Sequence, residues 1–334
     1  MKAYIKAISY YLPEIIQTNE DLVKEFPEWS AEKVAKKLGI SQRHLSSETE
    51  TSGDLAYKAA KKLISDNNID PVSIDFIMLC TQSPDYFLPT TACILQNKLG
   101  VSKDSGALDF NLGCSGYIYG LSLAKGLIAS GTAKNILLIT AETYSKFIHP
   151  KDKINRTIFG DAASATLIST EGFAEILNFK LGTDGSGAEQ LIVKSGGMRN
   201  PNRTNNIVYD EANNPFSDDY LFMNGSEIFN FTLDVVPEMI SKVLVSNNLK
   251  STDIDHYVFH QANMYMLNLL RKKLEIDAEK FIIYMDKVGN TVSSTIPIAL
   301  AESIENLNGN VLLAGFGVGL SWGSVVISIN KTRI

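Results

Sequence analysis

The chain carries part of itself twice, and no other feature limits its fold as much. Asn68-Ile-Asp-Pro-Val-Ser-Ile-Asp75 followed by Phe-Ile-Met-Leu-Cys80 matches Asn248-Leu-Lys-Ser-Thr-Asp-Ile-Asp255 followed by His-Tyr-Val-Phe-His260. The offset is a constant 180 (68 to 248, 80 to 260). Further on, Asn135-Ile-Leu-Leu and Asn310-Val-Leu-Leu repeat at an offset of 175 (135 to 310), each opening an apolar strand. Chance produces either match alone. Two matches in order, set in the same succession of elements, argue for duplication of a unit of about 170 residues. Residues at equivalent strand ends of two such halves face one another at a shared centre.

The elements between the repeats define the class. Tyr4 to Leu12 reads as a strand closed by Pro13, and Thr18 to Lys37 as a charged helical segment capped by Thr18-Asn-Glu-Asp21. Thr51 to Asn67 is an amphipathic helix with Leu55, Ala59, Leu63 and Ile64 on one face, and Thr91 to Leu99 is another helix. Ile74 to Cys80, Asn135 to Thr140 and Asp161 to Ser169 are continuous apolar strands of the buried type. Alternating helices and buried strands predict an α/β fold. The division falls into residues 1–172 and 173–334. A stretch at about 183–224, rich in Gly, Asn, Pro, Ser and Asp, departs from the pattern. There only Leu191-Ile-Val193 and Ile207-Val-Tyr209 look strand-like, and the stretch reads as loops and a hairpin laid over the surface, over a substrate entrance. A helix then runs from Ser226 to Ser246.

Composition excludes several function classes. A net charge of −6 speaks against a general nucleic-acid or anionic-membrane surface. Three cysteines, Cys80, Cys93 and Cys114, show no CxxC and no paired spacing, which argues against a disulfide framework or a zinc site and for a reducing compartment. No run approaches the roughly 18 apolar residues of a spanning helix, and Met1 to Ser9 alternates too strongly for a signal peptide. The expectation is a cytoplasmic protein without a zinc site.

Ala107 to Leu121 contains the leading candidate nucleophile. An apolar strand turns at Gly113, Ser115 and Gly116 into an apolar helix, with Cys114 at the junction. Backbone N–H groups at a helix start favour thiolate, so this cysteine is expected to be activated. Cys80 and Cys93 read as small buried hydrophobes. Three further stretches follow apolar strands: His260-Gln-Ala-Asn263, Val288-Gly-Asn290-Thr-Val-Ser-Ser-Thr-Ile-Pro297, and Ala314-Gly-Phe-Gly317-Val-Gly319-Leu-Ser-Trp-Gly323. Cys114, His260 and Asn290 thus sit where open α/β sheets bind ligands.

Together these stretches resemble the ketoacyl synthase III family, initiating condensing enzymes of the thiolase superfamily. Tyr11-Leu-Pro13, Gly39-Ile40 with Arg43-His44, and Phe159-Gly-Asp161 extend the likeness over nearly the whole chain. The resemblance implies a duplicated thiolase-like fold of two βαβαβαββ halves in five α-β-α-β-α layers, assembled as a homodimer. It implies that Cys114 takes an acyl group from a thioester, with the backbone N–H groups of Cys114 and Val318 as oxyanion hole. A malonyl-type thioester then loses CO2, and His260 and Asn290 donate hydrogen bonds to the enolate. Trp29, Lys153, Gly225, Phe229 and Asn263 are implied for binding coenzyme A. Gln261, Tyr265, Arg271, Lys272 and Lys273 are implied for docking acyl carrier protein, and Leu88 for the partner's acyl pocket. Departures from the family pattern are Lys153 and Tyr265, each where an Arg is expected, Val318 for a Gly and Leu88 for a Phe. Ser30 to Leu38 is also longer than usual. Lysine lacks the planar face that stacks on adenine, and the smaller Leu88 admits a longer or branched primer.

Competing readings differ in testable features. A papain-like protease shares the order Cys, His, Asn but has a different context around its cysteine, and that reading leaves the repeat unexplained. A hydroxymethylglutaryl-CoA synthase or another thiolase-superfamily acyl transferase is the nearer alternative, although a thiolase wants a second Cys near the last Gly-rich loop. A non-catalytic condensing-fold partner subunit would have an inert Cys114.

Overall fold

In the computed structural model, residues 1–211 and 214–330 are described; residues 212–213 of the loop-rich stretch and 331–334 of the second half lie outside the described residues. The main sheet has ten strands: β1 (Tyr4–Tyr11), β2 (Phe76–Cys80), β3 (Gly106–Phe110), β4 (Asn135–Glu142), β5 (Ala162–Ser169), β6 (Ala174–Thr183), β7 (His256–Phe259), β8 (Phe281–Ile282), β9 (Gly309–Gly317) and β10 (Ser321–Ile329). The helices are α1 (Asn19–Glu25), α2 (Ala31–Leu38), α3 (Ser52–Asp66), α4 (Thr91–Leu99), α5 (Gly116–Ala129), α6 (Lys153–Ile158), α7 (Gly225–Ser246), α8 (Met264–Lys273) and α9 (Thr295–Ser303).

Read outward from the middle, the strands run β1-β5-β4-β2-β3 on one side and β6-β10-β9-β7-β8 on the other. Each place is thus filled by strands five apart in chain order, and parallel and antiparallel pairings match between the sides. The two sides are joined where β1 meets β6 at Tyr4–Glu175 and Ile5–Ala174.

Three apolar clusters give the layers. Leu55, Ala59 and Leu63 of α3 and Leu95 of α4 cover the outer face of the first five strands. Val236, Ile240 and Val243 of α7 and Leu267 and Leu270 of α8 cover the outer face of the second five. Between the two sets of strands lie α5 and α9, whose Tyr117, Ile118, Leu121, Ile128, Ile296 and Leu300 pack against both. The patterning follows from this placement. The outer helix α3 leaves Lys58, Lys61 and Lys62 exposed, whereas α5 is apolar on nearly every side because sheet covers it from two directions.

The repeated segments form the same clamp twice. Asp75 Oδ2 accepts the N–H of Asn135 at 2.8 Å, while Asn135 Nδ2 donates to Ser73 O at 3.0 Å. Asp255 Oδ2 accepts the N–H of Asn310 at 2.8 Å, and Asn310 Nδ2 donates to Asp253 O at 3.0 Å. Asn68 and Asn248, which precede the two clamps, both take left-handed backbone, a conformation that asparagine tolerates better than most residues.

Two local expectations change. The charged segment from Thr18 to Lys37 is two helices, because Pro27 cannot continue α1 and forces Phe26 out of helical geometry. The loop-rich excursion contains two small ladders rather than one hairpin. Val208–Tyr209 pairs with Pro215–Phe216, and Leu191–Ile192 pairs with Phe222–Met223. The second ladder turns Leu191 and Leu221 inward, so the base of the excursion is wall rather than surface.

The start of α5 lies against β9 at glycines. A methyl group on Gly315 would stand 2.7 Å from Cys114 O and 2.9 Å from Ser115 Cα, both backbone atoms. Gly315→Ala is therefore expected to destabilise the protein by about 1–3 kcal/mol, measured as a lower urea midpoint.

Candidate active site

Cys114 sits between β3 and α5 and is 6% exposed. Its neighbours in one apolar cluster are Tyr144, Ile148, Phe159, Leu191, Leu221 and Val292, drawn from both halves and from the base of the excursion. Gly317 of β9 faces it, since a methyl group there would lie 3.0 Å from both Cβ and Sγ of Cys114. The activated thiolate expected from a helix start is not what the surroundings produce. Burial, followed by the charge on nearby Glu142, pushes the thiol up to about 12. Desolvation of a fully enclosed sulfur outweighs the partial charge of one helix end.

His260 follows β7 and is equally enclosed. Its Nδ1 lies 2.7 Å from Thr295 Oγ1, and its ring meets Phe316 edge-on at 5.8 Å. Burial lowers the imidazole from its usual 6.5 to about 3, so it is neutral at physiological pH. Asn290 Nδ2 approaches His260 Nε2 at 3.5 Å, while Asn290 Oδ1 accepts the Val292 N–H at 2.9 Å. The Asn290 backbone is held by the first half: its N–H donates to Ile158 O, and its C=O accepts the Gly160 N–H. Cys114, His260 and Asn290 therefore converge on one enclosed site through Val292, Gly317 and the Phe159–Asn290 bridge. Val318 lies over the turn before Cys114, where a methyl on Gly113 would be 2.5 Å from Val318 Cγ1. Ser321 donates to Val318 O at 2.8 Å and meets Ser115 Oγ at 2.6 Å, tying that loop to the start of α5.

The remaining sequence candidates fall in three groups. Trp29 packs in a shallow apolar corner with Leu22, Phe26 and Val34, and Lys153 beside it pairs with Glu28 and lies 5.7 Å over the Phe26 ring. Asn263 caps α8 through the Met266 N–H, and Phe229 stacks on Tyr265 with centroids 5.8 Å apart. Gly225 is exposed at the start of α7. The docking set is corrected in part. Gln261 is fully buried, donating to Phe259 O and accepting from the Tyr284 N–H, so it holds strands together and offers nothing to a protein surface. Arg271 donates to Ile276 O and Lys273 to Leu233 O, leaving Lys272 and Tyr265 as the exposed members without those ties. Leu88 is 84% exposed, far from enclosing its own site. Cys80 is buried as expected, but Cys93 is exposed.

Sequence reasoning missed Glu142, Tyr144 and Thr295. Glu142 is buried at the end of β4, accepting from the Gln82 N–H and the Ser83 hydroxyl at 2.9 Å, and burial pushes its carboxyl up to about 8. A charged residue closing an otherwise apolar strand was the available signal. Among the described residues, no group of three or more His, Cys, Asp or Glu is placed to hold a metal ion, and no helix is long and apolar enough to cross a membrane.

Comparison with known proteins follows this geometry. Residues 108–185 match the family model described as 3-oxoacyl-[acyl-carrier-protein] synthase III, and residues 244–329 match the model of its C-terminal part. A beta-ketoacyl-[acyl-carrier-protein] synthase III of Clostridium perfringens is 40% identical over 96% of this chain and 97% of its own length. One from Lactococcus lactis is 37% identical over 98% and 99%. A crystal structure of a 3-oxoacyl-(acyl-carrier-protein) synthase III superposes with a TM-score of 0.95 at 45% identity, covering 98% of this chain and all of that one. The Burkholderia xenovorans enzyme gives 0.90 at 35% identity, covering 100% of this chain and 96% of that one.

The depressed imidazole has a thermodynamic consequence. Its folded value lies below the unfolded one, so His260 contributes stability that is present above pH 6.5 and is lost as pH falls toward about 3. The stability advantage of the wild type over His260→Gln is expected to be greatest above pH 6.5 and to shrink across that window, read as urea midpoints at a series of pH values.

Proposed function

The chain belongs to the 3-oxoacyl-[acyl-carrier-protein] synthase III family, acyltransferases that open acyl-chain synthesis, and from that premise we propose how its own residues carry the reaction. Cys114 attacks the thioester carbonyl of an acyl primer and holds the acyl group. The convergence of Cys114, His260 and Asn290 from two halves in one enclosed apolar site is the observation that carries this reading. The thiol is neutral at rest, so attack is coupled to removal of its proton, and the backbone N–H groups of Cys114 and Val318 receive the oxyanion. A malonyl thioester next loses CO2. Asn290 and neutral His260 donate to the enolate oxygen, and the enolate carbon attacks the acyl group on Cys114. An enclosed apolar site favours loss of a carboxylate as uncharged CO2 and strengthens those two hydrogen bonds.

Both donors are thioesters, of coenzyme A and of acyl carrier protein, and no tightly bound cofactor takes part. The corner at Trp29 and Lys153, with Gly225, Phe229 and Asn263, receives the coenzyme A portion. The Lys153–Glu28 pair replaces a stacking cation there, so adenine is held mainly by Trp29. Lys272 and Tyr265 lead the carrier-docking face of α8, with Arg271 and Lys273 beside them. The two βαβαβαββ halves divide at 172/173. The protein acts as a homodimer: Tyr86, Phe87 and Leu88 form an exposed apolar tip, too large to leave in water, that suits the acyl pocket of a second copy. Its place is the cytoplasm, consistent with three unpaired cysteines.

Intact-protein mass measurement after mixing with a panel of acyl thioesters tests the reading. One acyl mass is expected on the wild type and none on Cys114→Ala. Full condensation by Cys114→Ala would sink it, and an inert Cys114 in the wild type would favour a binding subunit. Asn290→Ala is expected to keep the acyl adduct but lose malonyl decarboxylation by about 100-fold, read as CO2 release.

A further inference from the structure

Helix α2 has no part in the reaction described above. It occupies most of Ser30 to Leu38, the segment longer than the family pattern, and leads from Trp29 to the start of α8. Ala31, Val34, Ala35 and Leu38 recur at the spacing of one helix face and are half-buried. Val34 packs in the corner with Trp29, Leu22 and Phe26. At the other end Gly39 lies against α8, where a methyl group on it would stand 2.6 Å from Met264 Cβ. The opposite face of α2 carries Lys33, Lys36 and Lys37, all exposed.

The cations around these lysines are neutralised: Lys24 by Asp21, Lys153 by Glu28 and Arg156 by Glu25. Among the described residues, none of Lys33, Lys36 and Lys37 has a carboxylate at ion-pair distance. Lys36 and Lys37 are in the last turn, where the helix end favours cations. Lys33 is in the first turn, its N–H capped by Ser30 Oγ, where the helix end disfavours them. Lys33 and Lys37 also repel each other across one turn. A merely solvated face gains nothing from that arrangement, whereas an acidic partner relieves it.

The state of α8 gives such a partner a reason to use α2. Tyr265 stands where an arginine is expected, Gln261 is buried, and Arg271 and Lys273 direct donors to backbone carbonyls. The chain as a whole carries −6, so an acidic carrier is repelled at a distance unless cations are gathered where it lands.

We propose that the carrier-docking face crosses from α8 onto α2, and that Lys33, Lys36 and Lys37 hold the acidic face of the acyl carrier protein while it delivers its thioester. The proposal rests on the acyltransferase reading and deepens it, by moving the charge expected at Tyr265 to the neighbouring helix. No bond is made or broken at this surface. The lysines speed encounter and fix orientation, and the chemistry stays at Cys114.

Titration of the full-length protein with holo acyl carrier protein, and separately with coenzyme A, tests this. The triple variant Lys33→Glu, Lys36→Glu, Lys37→Glu is expected to bind carrier about tenfold or more weakly at low salt, with a flatter salt dependence and unchanged coenzyme A binding. In turnover, its KM for a malonyl carrier rises by a similar factor, while kcat and acylation of Cys114 by an acyl-CoA stay as in the wild type. The same three positions changed to Gln guard against misfolding: the urea midpoint is expected to hold and carrier affinity to fall about threefold. Unchanged carrier binding in both variants overturns the proposal, and so does a wild type that binds no carrier. An equal loss of carrier and coenzyme A affinity also overturns it, since it would assign the lysines to the phosphate that both ligands share. Should no thioester acylate the wild type, the acyltransferase reading fails, while the carrier titrations still decide the role of α2.

Discussion

The structure depends on a close approach that only missing side chains allow. The first turn of α5 is pressed against β9 and β10, with Gly315 at the Cys114 carbonyl, Gly317 at the Cys114 side chain and Gly323 at Ile118. The halves meet there face to face, and Ser115 and Ser321 close the seam with a buried hydrogen bond. Because the contact is made by backbone, the position of the sulfur is defined relative to the opposite half rather than to its own strand alone. His260, Asn290 and the Val318 loop all belong to that opposite half. A site assembled this way exists only when both halves are folded and docked, which links its geometry to the central layer of α5 and α9.

The same enclosure decides the electrostatics. The thiol is raised and the imidazole lowered for one reason, since charge is costly where water is excluded. Cys114 and His260 are thus both neutral at rest, side by side in the enclosed site. Glu142 follows the same rule: among the described residues it has no cation partner, two donors share its oxygens, and burial favours its protonated form.

Much of this was legible in the residues. The two repeat matches are two parts of one clamp, Asp75 with Asn135 and Asp255 with Asn310, so a sequence likeness of a few residues reported a real structural unit. Helix starts at Thr18 and Thr51 were readable because capping is local. Gln261 was misjudged because a motif position says nothing about which carbonyl a side chain will find. Glu142 and Thr295 went unnoticed for a similar reason, as their importance lies in what packs around them.

The sequence by itself determined the class of fold, the duplication and the residue types that meet at the centre, because periodicity, capping and repeated motifs are written in neighbouring residues. Tertiary structure alone decided the state of those residues. Whether Cys114 is a thiolate depends on how completely it is enclosed, and His260 is neutral because it is buried, with the Thr295 hydroxyl, 35 positions away in the chain, against its ring. The thiol at the start of α5 was expected to be activated by its own helix. It is instead held neutral by burial among residues of both halves, since desolvation is a property of the assembled surroundings and no local stretch encodes it.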